Sequence, residues 1–215
     1  ITIESGTLRA SNSFSLSQAV FLVTGDISVD AGANLTLADV RGGYLNKRGA
    51  GTLTLTGANS YSPTALYEGT LAISSDDNLG TGAGTLYFAG GTLKTLAGLT
   101  VNRSVSMIAN GTVDTNGLSS TFNGVVDGGG RLTVTGGGSL TLAGANTFTG
   151  GTLIAGGSTV AIGSDAALGA PTSNVVFDNG TLKFLAGVDL VAARPIVLEA
   201  GGGTLDLTGT STING

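Results

Sequence analysis

Short runs in which apolar and polar residues alternate fill this chain. In Thr52-Leu53-Thr54-Leu55-Thr56 the leucines fall on one face of an extended strand and the hydroxyls on the other. The same alternation returns at Leu71 and Ile73, Leu86 and Phe88, Leu132 and Val134, Leu140 and Leu142, Val160 and Ile162, and Leu205 and Leu207. Glycine-rich stretches separate the runs, and Gly57-Ala58-Asn59 reads as a turn of this kind. No stretch keeps an apolar face at helical spacing for three turns, and β-branched Thr and Val are abundant, so the pattern predicts strands and no helix. Strands this short are not stable alone and must find many partners.

The repeats supply those partners. Gly-Thr-Leu begins at residues 6, 51, 69, 84, 91, 151, 180 and 203, with Gly-Thr-Val at 111 and Gly-Ser-Leu at 138. Above this lies a longer period. Residues 49–80 match 136–169 with a two-residue insertion near Gly157, 86–98 match 175–187, and 111–117 match 203–209. Residues 17–32 parallel 102–117 and read as the end of an earlier copy. The chain therefore divides into a partial unit (1–48) and two near-complete ones (49–135 and 136–215). Within a unit, Gly-Thr motifs fall 18, 22 and 20 residues apart, the length of one solenoid coil of three short strands. About four coils would make a unit, and about ten coils stacked at about 4.8 Å would make a rod about 50 Å long. Leu, Val, Ile and Phe would point inward and Thr, Ser and Asn outward.

With 41% hydrophobic residues and a mean hydropathy of +0.36, 215 residues can fill such a core. Only 11% of residues are charged and the net charge is −5, with nine cations spread thinly. No basic stripe suits nucleic acid or anionic lipid, and no apolar run reaches the 18 or so residues of a membrane helix. Direct membrane insertion is not expected. The chain holds no Cys and no His, which removes disulfides, thiolate ligands and imidazole chemistry. It does not begin with Met, so an excised or processed piece is expected.

The stretch RLTVTGGGSLTLAGANTFTGGTLIAGGSTVAIG (131–163) strongly resembles the autotransporter-associated β-strand repeat of type V secreted passenger domains. YLNKRGAGTLTLTGANSYSPTALYEGTLAI (44–73) carries the same pattern, with Ser62-Pro63-Thr64 where the second copy has Gly150-Gly151-Thr152. The opening ITIESGTLRAS resembles the tail of a further copy. The resemblance implies an all-β, right-handed parallel β-helix (a β-solenoid) displayed at the cell surface or released from the outer membrane. It also implies a translocation barrel elsewhere in the parent chain.

The candidate chemistry is sparse. Asp30, Asp114 and Asp206 occupy equivalent places in successive units, and four coils at about 4.8 Å would hold them about 19 Å apart, too far for a paired acid and base. Asp76-Asp77 and Asp165 read as solvated turn acids. GGGTLD at 201–206 fails as a calcium nonapeptide, because its glycines are misplaced and it has no tandem copy. Thr-x-Thr, at 52–56 and 133–135, is missing from most coils and so makes no ice-binding array. Tyr61 aligns with Phe148, as a packed corner would allow. One place gathers an aromatic with several cations: Arg41, Tyr44, Lys47 and Arg48 form the candidate contact patch, although Lys47 aligns with Val134 and its direction is open.

No catalytic, cofactor-binding or metal residue is assigned, and no cofactor is expected. The expected role is a scaffold or stalk engaged in adhesion to host or bacterial surface molecules, or in self-association. A polysaccharide-active enzyme or lectin on the same fold stands as the alternative. The edges at ITI and STING are expected to be adhesive end to end.

Overall fold

The computed structural model describes residues 1–81, 84–185, 187–190, 194–207 and 210–213. Asn214 and Gly215 of the carboxy-terminal edge, and Thr208 and Gly209 of the last repeat motif, lie outside the described residues.

Among the described residues every strand pairing is parallel, each strand bonding to its counterpart one coil on. The faces hold, among the described residues, seven, ten and six strands, with a further two-stranded sheet near residues 189–213. The ten-stranded second face sets the length at about ten coils. In chain order it stacks Phe14–Leu16, Asn34–Leu37, Thr52–Leu55, Thr70–Ile73, Thr92–Thr95, Gly111–Asp114, Leu132–Thr135, Thr152–Ala155, Val175–Asp178 and Ile196–Leu198. One inward position runs its whole length as Phe14, Leu35, Leu53, Leu71, Leu93, Val113, Val134, Ile154, Phe177 and Leu198. The eight inner members are buried, while Phe14 and Leu198 on the outermost strands are 39% and 65% exposed. Each buried aliphatic or aromatic side chain contributes about 1.5–3 kcal/mol, so the column is a large share of the stability. The alternation works as the sequence predicts: Leu53, Leu55, Leu140 and Leu142 are fully buried, while Thr52 and Thr54 face outward and are half-buried. The pair Leu205 and Leu207 departs from it, Leu205 being half-buried and Leu207 46% exposed.

Among the described residues helix is limited to two single turns of 3-10 helix, Asp76–Leu79 and Asp165–Leu168, at equivalent places in the two units. Each ends on a glycine with positive φ, Gly80 (83°) and Gly169 (78°). A Cβ at these positions would lie 2.1 Å from the Tyr61 carbonyl and 2.3 Å from that of Phe148, so both conformation and space demand glycine.

The period is longer than about four coils. Starting at Thr52–Leu55, four coils along the second face lead to Leu132–Thr135, yet the sequence equivalent of 52–55 is Ser139–Leu142, the next strand of the chain, on the third face. Leu86–Phe88 on the first face corresponds likewise to Val175–Asp178 on the second, and Gly111–Asp114 on the second to Gly203–Asp206 on the third. The earlier copy obeys the same rule, since the Val20–Val29 strand that parallels Gly111–Asp114 lies on the first face. Each unit is thus four coils and one further face, and equivalent residues turn by a third of a revolution per unit.

Candidate functional site

Asp30, Asp114 and Asp206 show this rotation directly. Each pairs with a cation one coil earlier: Arg9 with Asp30 at 2.7 Å, Lys94 with Asp114 at 3.0 Å, and Lys183 with Asp206 at 3.5 Å. The first pair lies at the first face, the second on the second face and the third on the third. Arg9 holds the Asp30 carboxyl below the ordinary carboxylate range through its hydrogen bonds. These acids are partners of cations, separated by coils and by faces. Among the described residues, no three acidic side chains converge on a metal-holding position.

Asp76 and Asp165 are not solvated turn acids. The guanidinium of Arg103, 1% exposed, lies in the corner beneath the first 3-10 turn and uses all five donors. Its Nε donates to Asp76 Oδ1 at 2.8 Å, and its two terminal nitrogens donate to the carbonyls of Leu79, Gly84, Asp76 and Gly80. Arg194 repeats the arrangement a unit later, bound to Asp165 and to the carbonyls of Leu168, Ser173, Asp165 and Gly169. A buried charge is tolerated here because it is paired and fully hydrogen-bonded. The two arginines clamp corners where the backbone leaves the sheet and its carbonyls would otherwise be orphaned.

Asn59, in the stretch that read as a turn, is a buried stitch. Its Oδ1 accepts from the Val40 amide at 2.7 Å and its Nδ2 donates to the Asn78 carbonyl at 2.8 Å, so one side chain ties three successive coils. Asn146 does the same between Val126 and Ala167. Both stand where the coil lacks a strand, and the side-chain amide replaces the missing ladder bonds.

Tyr61 and Phe148 are fully buried, as corner packing requires. Thr64 Oγ1 lies 3.1 Å from the Tyr61 hydroxyl and 3.3 Å from the Leu79 carbonyl. In the second copy Phe148 carries no hydroxyl, and the equivalent Thr152 Oγ1 is buried with no hydrogen-bond partner. Burial raises the Tyr61 phenol above its ordinary value.

The four residues of the contact patch separate. Tyr44 is 54% exposed, and Arg41 and Arg48 are partly exposed, each held by an acid: Arg41 by Asp39 and Arg48 by Asp26, both at 2.6 Å. Arg41 also lies over the Phe21 ring, and Arg48 stacks 4.0 Å above the Tyr67 ring. Lys47 does not belong to the patch. It takes the inward place between Ile27 and Leu66, is fully buried, and donates from Nζ to the carbonyls of Arg48, Gly49 and Glu68. Its alignment with Val134 carried that direction. Desolvation lowers its ammonium to about 8.

The family pattern described as the passenger-associated-transport-repeat matches residues 45–73 and 132–162, the segments that contain the two asparagine stitches. The adhesin BmaC autotransporter of Brucella suis biovar 1 (strain 1330) is 44% identical over 101 residues, which are 46% of this chain and 3% of that protein. The chain thus matches a small part of that relative's length. No solved structure matches. The two matched repeats are set in a continuous parallel solenoid, and over these segments the chain is similar to the passenger repeats of autotransporters.

Proposed function

We propose that this segment is a stiff scaffold or stalk that serves adhesion, to surface molecules of a host or of other bacteria, or by self-association. The observation that carries the reading is the unbroken ladder: the second face runs through about ten coils over one continuous core. Parallel stacking of this kind yields an extended rod whose length is proportional to its number of coils. The match to a protein named an adhesin supports the adhesive part. The reading is non-enzymatic, supported by the engagement of the repeat acids as ion-pair partners and corner clamps. Arg41, Tyr44 and Arg48 are its contact residues on this segment. A translocation barrel elsewhere in the parent chain completes the reading.

Fusing residues 1–215 to an unrelated translocation barrel on a non-adherent bacterium tests this. Adherence to epithelial cells, or autoaggregation, is expected to exceed that of the barrel alone. A rod of the expected length by small-angle scattering, with neither effect at the cell surface, would leave a stalk and remove the adhesive role.

A further inference from the structure

Three of the four tyrosines gather on one patch of the first face. Asn46, Ala65 and Tyr87 are direct neighbours on successive coils. Tyr67 stands two residues beyond Ala65 on the outward side, and Tyr44 two residues before Asn46. Ala65, small and 9% exposed, is therefore the floor of a shallow cup of about 260 Å³ walled by Tyr44, Asn46, Pro63, Tyr67, Tyr87 and Ile108. A second trough of about 270 Å³, floored by Gly6 and Gly25, adjoins it across Tyr44 and Asn46, so the depression runs along the rod axis.

The fold does not ask for these residues. In the second unit the same coil positions hold Arg131 for Tyr44, Thr133 for Asn46, Leu153 for Ala65, Ala155 for Tyr67 and Val176 for Tyr87, and the coils form equally well. The cup is also held in shape. Asp26 accepts from Asn46 Nδ2 through one carboxylate oxygen at 3.0 Å and from Arg48 Nε through the other at 2.6 Å, and Arg48 braces the Tyr67 ring. Two walls are thus fixed before a ligand arrives. Among the described residues, none of the three tyrosine hydroxyls finds a hydrogen-bond partner within the chain.

We infer that this cup is a binding site for a neutral sugar, with one pyranose ring seated over Ala65 and further residues of an oligosaccharide following the trough. A pyranose presents an apolar C–H face and a rim of hydroxyls. Tyrosine rings with free hydroxyls beside an amide offer the complement to both. The adjoining cation is matched by Asp26, which leaves no unpaired charge for an acidic ligand. The inference deepens the adhesive reading by naming a partner class. Its test reads sugar binding alone, so the stalk can stand if the sugar fails.

Saturation-transfer NMR on residues 1–215 with the methyl glycosides of glucose, galactose, mannose and N-acetylglucosamine, and with methyl glucuronide as the acidic comparison, decides it. At least one neutral glycoside is expected to receive saturation. Ala65→Leu, which installs the sister copy's residue and fills the floor, is expected to abolish the signal with an unchanged circular dichroism spectrum. Asp26→Asn, which loosens two walls, is expected to weaken binding severalfold. Silence from every neutral glycoside, equal signal in Ala65→Leu, or stronger binding of the glucuronide would each overturn the inference. So would capture of deglycosylated cell-surface protein, released by Ala65→Leu, with no response to any sugar.

Discussion

Thr64 and Thr152 occupy equivalent corners, yet the same substitution should move stability in opposite directions. In Thr64→Val the chain loses a hydroxyl whose single proton is shared between the Tyr61 hydroxyl and the Leu79 carbonyl. Neither partner is orphaned, because Tyr61 still donates to the Asn78 carbonyl and Leu79 still accepts from Arg103. The cost should therefore be that of one ordinary net hydrogen bond, about 1 kcal/mol. In Thr152→Val the hydroxyl that disappears is buried and unpartnered. Removing it relieves a desolvation penalty of about 1–2 kcal/mol, so this variant should be more stable than the parent. Phe148→Tyr should stabilise by about 0.5–1 kcal/mol by supplying the missing partner, and should lose that gain when combined with Thr152→Val. Urea unfolding followed by circular dichroism gives the signs. Hydrogen exchange of the Thr152–Ala155 amides gives the local effect if the solenoid does not unfold in a single step. Equal destabilisation by both valines would show that Thr152 has a partner after all, and would refute the reasoning.

Three further outcomes test other parts of the structure. Leu142→Asp places an unpaired carboxylate at a fully buried position and should cost several kcal/mol, whereas Thr54→Asp on the outer face should be mild; similar unfolding midpoints would reverse the face assignment. Arg103→Met should cost about 3–5 kcal/mol, because Asp76 is left without its cation and four carbonyls lose a donor; a loss below about 1 kcal/mol in denaturant titration would show the clamp to be dispensable. For Lys47, burial lowers the ammonium from 10.5 to about 8, so between those values the unfolded chain holds the proton that the folded chain has released. The site's contribution should therefore rise with pH across that window, by up to about 3 kcal/mol, the full cost of the buried charge being present below it. Stability at pH 7 and pH 10, each compared with Lys47→Met, isolates the effect from tyrosine titration, and identical slopes would sink it.

The strand alternation was legible because its period of two residues is local: Leu53 and Leu55, or Leu140 and Leu142, declare their face within five residues. What was hidden depends on contacts between coils. Arg103 and Arg194 are two of nine thinly spread cations, and nothing near them in sequence reveals the carbonyls that lie 19 to 29 residues away. Their signal was alignment: each arginine follows its 3-10 acid at a similar distance in both units. Asn59 read as a turn residue because the Gly-Ala-Asn sequence satisfies turn chemistry equally well. Lys47 carried its own warning in Val134, a hydrophobic residue at the same place. The tyrosine cup could not be read from a linear sequence, since Tyr44, Tyr67 and Tyr87 meet only once three coils are stacked.

The extra face in each unit gives repeat number a meaning beyond length. Inserting or deleting one unit within such a rod lengthens or shortens it by four coils and a third, and also swings everything beyond that point through about a third of a circle. Three units restore the original heading. Recombination between such repeats would therefore act as a compass as well as a ruler, re-aiming distal binding sites without altering a residue in them. A cup like that around Ala65, if copied along a stalk, would wind about it like the leaves on a stem, so that a rod lying flat on a surface would always present some of its copies outward.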